Sequence, residues 1–369
     1  MESKRGCDAI LLLTTLSLVA LGIAMVYSAS SMVAQERFGD QYHFLKRQGA
    51  FALLGLLFML LLMRSNYQRL NRLSPPFLVL AFLLLIVVLF PPFQLKVGGI
   101  SRWLRLGGFT FQPSELAKLA LALYLARFFS KREYRADRFI TGFLPPLLIG
   151  AAMAALVMAE PDFGNAALLG LLALTLLFLS GSRLTHLGFT AMAALPLLLW
   201  LAEGTAYRRQ RILAFLDPWR DPMGSGFQII QSYLAFALGG VFGVGLGGGR
   251  QKLFYLPEAH TDFIASVIGE ELGLIGLLLI LIAFGVIVVR GLKISLNSPD
   301  PFGYYLGLGL TLIIAIQAAI NLGVATGLFP TKGLTLPFLS YGGSSLVINL
   351  MAVGLLLSIS TRRRLGRGE

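Results

Sequence analysis

Residues 251–273, QKLFYLPEAHTDFIASVIGEELG, run from a polar loop straight into a long apolar segment and carry acids with them. Glu258, His260 and Asp262 stand at the entry; Glu270 and Glu271 lie further in, beside residues suited to a membrane. Ionisable groups at membrane depth are expensive to hold and mark sites by default. Asp262 has two readings. It caps a helix N-terminus, where a carboxylate is stabilising, or it is an acid with a chemical role. For a helix starting near Thr261, the 3.6-residue period puts Ala265, Ser266, Gly269, Gly273 and Gly276 on the Asp262 side. Such a stripe lets membrane helices approach closely, so Asp262 is expected to point into a bundle. Glu270 falls roughly 80° away and about 12 Å deeper, with Glu271 on the opposite side. Both read as structural partners for other helices.

Other stretches supply charge near the same end. In GGISRWLRLGGFTFQPSELAK (98–118), Arg102 and Trp103 put a cation beside an amphipathic ring that also suits a membrane interface. Glu115 and Lys118, three apart at a helix start, share a face and read as an ion pair supporting a nearby pocket. EPDFG (160–164) reads as a tight turn containing Asp162. GLFPTKGLTLPFLSYGGSS (327–345) is a Pro-, Gly- and Ser-rich loop able to fold back into protein. Gly239 to Gly249 is glycine-dense but lacks the Lys-Ser/Thr ending of a P-loop, which argues against a nucleotide site. No Ser-His-Asp or Cys-His set is legible. Three histidines, His43, His186 and His260, do not make a histidine metal cluster. Carboxylates leave room for a hard divalent cation such as magnesium.

The elements that must position these residues are membrane helices. The 369 residues are 56% hydrophobic and 13% charged, far from the soluble average. Repeated apolar runs predict an all-α polytopic membrane protein. Ten spans are expected, at about 8–28, 48–64, 74–92, 114–130, 139–159, 164–181, 187–202, 262–290, 303–327 and 341–360. Together they form a single domain over 1–369, with a large extracytoplasmic connection at 203–261 between helices seven and eight. Within it, residues 226–242 read as amphipathic or re-entrant. The first apolar run follows Lys4 and Arg5 and reads as an uncleaved helix. Short loops on one side carry 17 Lys and Arg against 7 on the other, which places both termini in the cytoplasm. The net charge of +13 is dispersed; it suits anionic headgroups or an anionic substrate, not nucleic acid. The single cysteine, Cys7, excludes an intrachain disulfide and a cysteine metal site.

RW (102–103), QPSELAK (112–118), PDFG (161–164), RILAFLDP (211–218), LPEAHTDFIASVIGEELG (256–273), the N-x5-G-x-x-P-x-K-G run (321–333) and PFLSYGGSS (337–345) occur together. In combination they resemble the shape, elongation, division and sporulation family of bacterial membrane proteins. The short N-terminus and basic C-terminal tail resemble its elongation branch more than its division branch. The resemblance implies a peptidoglycan glycosyltransferase that polymerises lipid II outside the cytoplasmic membrane, working with a class B penicillin-binding protein transpeptidase. It implies that Asp262 is the essential acid, the base on an acceptor hydroxyl, and that Trp103, Glu115 and Lys118 occupy family positions. One departure is Ala265, where the family motif usually has an aromatic residue. Arg102, Trp103, Arg208, Arg211, Lys252 and His260 are the expected substrate contacts; Glu115, Lys118, Glu258, Glu270 and Glu271 are the expected supports. A lipid II flippase would need polar groups through the full membrane depth, and a scaffold would not need buried acids.

Overall fold

The computed structural model describes residues 7–90, 94–97, 100–106, 109–203, 206–252 and 256–362. The expected positions Lys4 and Arg5 and the basic tail from Arg363 onward lie outside the described residues.

The helices are inside-out relative to soluble ones. In α2 (His43–Arg64), Gln48, Ala52, Gly55 and Met59 are buried at helical spacing, while Leu53, Leu57, Leu60 and Leu61 are exposed. A membrane helix gains by turning bulky apolar residues to lipid and small ones to its neighbours. Gly55 lies against Val347 and Leu350 of α12 (Gly343–Ser360), where any side chain would collide. Packed in this way, α12 is enclosed on nearly every face and forms the axis of the bundle.

Around it run α1 (Ala9–Phe38), α3 (Gln68–Val87), α4 (Pro113–Phe129), α5 (Leu144–Ala159, entered through a π turn at 139–143), α6 (Phe163–Leu179), α7 (Leu184–Glu203), α10 (Ile264–Leu296) and α11 (Pro301–Ala325). Among the described residues seven of the helical segments are long and apolar enough to cross a membrane. The predicted spans at 114–130, 164–181 and 187–202 correspond to α4, α6 and α7, of 17, 17 and 20 residues.

Two features depart from the expected layout. Residues 94–111 form a small antiparallel sheet of β1 (Gln94–Val97), β2 (Ile100–Leu106) and β3 (Phe109–Phe111), in that order. The connection after α7 is also largely helical, with α8 (Ala206–Leu216) and α9 (Phe227–Gly239). The small-residue stripe of α10 receives α9: Ser232 and Ser266 hydroxyls meet at 2.6 Å, and Gly269 lies under the Phe236 ring. At Gly273 the backbone leaves the helix (φ 69°, ψ −166°), so α10 is two helices joined at a break. Glycine tolerates that conformation where other residues are strained.

Candidate active site

Asp262 sits in the turn before α10. The helix starts at Ile264 with Phe263 as cap residue and no side chain capping it, so the carboxylate is not used for capping. The turn is set by Glu258, a non-glycine residue at φ 55°. Its carbonyl accepts the amides of Thr261 and Asp262, each at 3.1 Å, and its carboxylate accepts the Thr261 hydroxyl. From the other side Asn321 of α11 donates to the Asp262 carbonyl at 2.9 Å and to the Leu334 carbonyl at 2.5 Å. The aspartate is thereby locked to the 331–342 loop.

That loop brings Gly333 over the carboxylate. A methyl group at Gly333 would stand 3.2 Å from Asp262 Oδ2 and 3.6 Å from Arg102 Nη1. Gly333 itself is exposed, so the acid and the cation share an open mouth. Arg102 is held from behind, donating to the Pro161 carbonyl at 2.5 Å and lying 3.9 Å from Asp162. Asp162 caps α6 through the Asn165 amide and accepts the side chains of Gln112 and Asn165, both at 2.8 Å. Arg211 donates to the Thr331 carbonyl at 3.0 Å. A cleft of about 470 Å³ opens beside it, between Gln210, Phe227, Pro257 and Thr331, a volume in the range of ligand pockets.

Electrostatics set the acid's character. Burial, with Glu258 adding to it, raises the Asp262 pKa from its usual value to about 7, against the opposing pull of Arg102 and Arg211. Lys332 beside the mouth is pushed down by burial and by Arg211, with Asp162 opposing. His260 is pushed down by burial, opposed by Glu258. Glu160, next to the Arg102 anchor, is buried with neither carboxyl oxygen hydrogen-bonded. Burial and then Asp162 raise its pKa to about 9.

The expected residues separate into three groups. Arg102, Arg211, Glu258 and Asp262 converge with His260 two residues away. Trp103 adjoins Arg102 in β2, but neighbouring strand residues project to opposite faces, so the two do not line one pocket side by side. Glu115 and Lys118 form a buried ion pair at 2.8 Å. Lys118 donates to Gln317, which donates to Thr335 and Ser345. The pair thus braces the loop that carries Gly333. The third group is elsewhere in the fold. Glu271 accepts Lys252 at 2.5 Å, the Ser28 hydroxyl of α1 and the Gly247 amide; Glu270 accepts the Arg250 amide at 2.7 Å and the Gln251 amide. Lys252 is therefore a buried partner of Glu271, a correction to its reading as a substrate contact: its ammonium is already neutralised. Arg208 lies on α8 and its side chain is outside the described ones.

Asp162, Gln112, Asn165, Asn321, Lys332 and Gly333 are site residues that the sequence alone does not mark. Asp162 reads as a turn acid, and its neighbours come from three distant segments, so only the fold assembles them. Among the described residues no three metal-ligating side chains converge. Asp262 and Asp162 supply carboxylates to the region but not a cage.

The FtsW, RodA and SpoVE family, described as cell cycle proteins, matches residues 8–365. A probable peptidoglycan glycosyltransferase FtsW of Geobacter metallireducens is 48% identical over 97% of this chain and 95% of its own. Stage V sporulation protein E of Bacillus subtilis is 44% identical over 98% and 99%. Among solved structures, a chain from a peptidoglycan synthase complex, in which polymerization and crosslinking are structurally coordinated, superposes with a TM-score of 0.80 and 33% identity, covering 97% of this chain and 99% of that one. The rod shape determining protein RodA of Thermus thermophilus gives 0.71 and 29%, over 96% and 97%. These curated relatives carry division and sporulation names, which the expected nearness to the elongation branch did not anticipate. That nearness rests on terminal length and tail charge, and those terminal residues lie outside the described ones. The chain belongs to the FtsW, RodA and SpoVE family of polytopic membrane proteins and is a peptidoglycan glycosyltransferase.

Proposed function

We propose that this enzyme polymerises lipid II, the disaccharide-pentapeptide on undecaprenyl pyrophosphate, on the outer face of the cytoplasmic membrane, with both termini inside. The observation that carries the reading is Asp262: a partly exposed carboxyl, raised to about 7, opening with Arg102 at Gly333. A base working near neutral pH needs a pKa near neutral. The 4-hydroxyl of the acceptor GlcNAc attacks the anomeric carbon of a lipid-linked MurNAc and gives its proton to Asp262. The bond from that carbon to the pyrophosphate oxygen breaks, and undecaprenyl pyrophosphate leaves with the electron pair. One displacement inverts an α-linked donor to a β-linked product and requires one carboxylate, with no covalent intermediate. Arg102 and Arg211, together with Lys332, supply the positive charge that a departing pyrophosphate needs. A divalent cation carried by the pyrophosphate would add to that charge.

Division or sporulation fits the named relatives better than elongation. A crosslinking partner is supported by the synthase-complex neighbour; the reading takes that partner to be a transpeptidase of the class B penicillin-binding type. Purified protein with lipid II, scored in parallel for glycan product and for transfer between leaflets, tests the activity. Product without transfer supports polymerisation; transfer without product supports a flippase and defeats it. Rescue of cells depleted of FtsW but not of cells depleted of RodA supports the division assignment.

A further inference from the structure

We propose that Phe38, His43, Phe44, His260 and Tyr341 form a stacking track that holds the growing glycan strand beside the base, an inference that rests on the polymerase reading. The rings are continuous. Phe38, at the end of α1 and 52% exposed, stacks on His43 with centroids 3.9 Å apart and planes 9° from parallel. His43 meets Phe44 edge-on at 5.5 Å. Phe44 touches His260 at 4.7 Å and Tyr341 at 5.0 Å, and those two lie 5.7 Å apart. The Tyr341 amide donates to the His260 carbonyl at 2.9 Å. The chain of rings therefore begins at the surface and ends two residues before Asp262.

Cations flank its inner end. Arg47 stands close enough to Tyr341, and Arg37 to His260, to act on them electrostatically. Both arginines are exposed. Aromatic rings along a positively charged groove bind single-stranded nucleic acid with little sequence dependence, because every base offers a stacking face. A pyranose presents such a face through its axial C–H bonds, and the stem peptides of the strand bring carboxylates for the arginines. An interfacial aromatic belt is the other use for exposed rings, and it favours Trp and Tyr anchored at headgroup level. Here the exposed end is Phe38, the half-buried His43 follows it, and the rings contact each other inward toward the acid.

The test uses the full chain, the double variant Phe38→Ala/His43→Ala, and Phe38→Trp. Neither position belongs to the site around Asp262. The probes are lipid II for polymerisation and purified uncrosslinked glycan strands for binding. The double variant is expected to bind strands about fivefold more weakly and to make correspondingly shorter product, with lipid II consumption within about twofold of the unmodified chain. Phe38→Trp should retain both. Unchanged strand binding and product length in the double variant overturns the track. If the unmodified chain makes no product, the polymerase reading fails on that measurement alone; strand binding still decides the track.

Discussion

Arg102 Nη1 and Asp262 Oδ2 meet at the same exposed glycine, Gly333, from β2 on one side and the turn before α10 on the other. In the displacement proposed above, the acid and the cation do different work in one open mouth, so that proposal requires space at Gly333. A methyl there would press on the carboxylate and touch the guanidinium, and a branched side chain would fill the mouth. Gly333→Val is expected to lower kcat/KM by roughly 100-fold, with Gly333→Ala intermediate. Thermal unfolding should shift little because the residue is exposed. Activity unchanged in Gly333→Val would show that substrate does not enter there.

The acid's surroundings fix a pH profile. With Asp262 near 7, activity should rise with pH through an acidic limb at about that value. Arg211 lowers that pKa and Glu258 raises it. Arg211→Ala should move the limb upward, and Glu258→Gln should move it downward. Profiles of kcat/KM against pH check both signs. A limb that moves the same way in both variants contradicts the assignment.

Glu160 costs stability in its charged form. Its folded pKa lies near 9, above the ordinary value of 4.5, so the folded state holds a proton that the unfolded chain has released. The stability from that proton is complete below about 4.5 and is lost as pH rises toward 9. Glu160→Gln should therefore raise the melting temperature at pH 9 and leave it unchanged at pH 4. Equal shifts at both pH values would mean that ionisation plays no part.

Lys252 separates structural from substrate-binding cations. Removing one partner of a buried pair leaves the other unpaired, at a cost of about 3–5 kcal/mol. Lys252→Met should lose stability of that order, and adding Glu271→Gln should restore much of it. KM for lipid II should stay near normal in the folded double variant. A large KM increase without destabilisation would return Lys252 to the substrate.

The bundle and its acids are legible in the sequence because lipid enforces simple rules. Apolar runs must be helical, and the small-residue stripe of α10 foretells a close neighbour, which is α9. Glu115 and Lys118 announce their pairing by spacing alone. Residues 94–111 are harder to read: the strands are short, broken by glycines and lie beside an aromatic and basic run that also suits an interface. The break at Gly273 is hidden as well, since the same glycine completes a GxxxG that reads as helix packing. The convergence of Arg102, Asp162, Asn321 and Gly333 on Asp262 depends on contacts across four segments. Arg102 reads as a substrate contact, but Asp162 taken alone reads as a turn, Gly333 as a loop and Asn321 as part of a span.

The most direct test of the account is polymerisation by purified, folded Asp262→Asn. Asparagine keeps the size of the side chain and caps helices about as well as aspartate, but it cannot accept the acceptor's proton. The variant is expected to fold, bind lipid II and associate with the proposed transpeptidase, yet make no glycan. Near-normal glycan synthesis by that variant would contradict that expectation and leave Asp262 a structural residue.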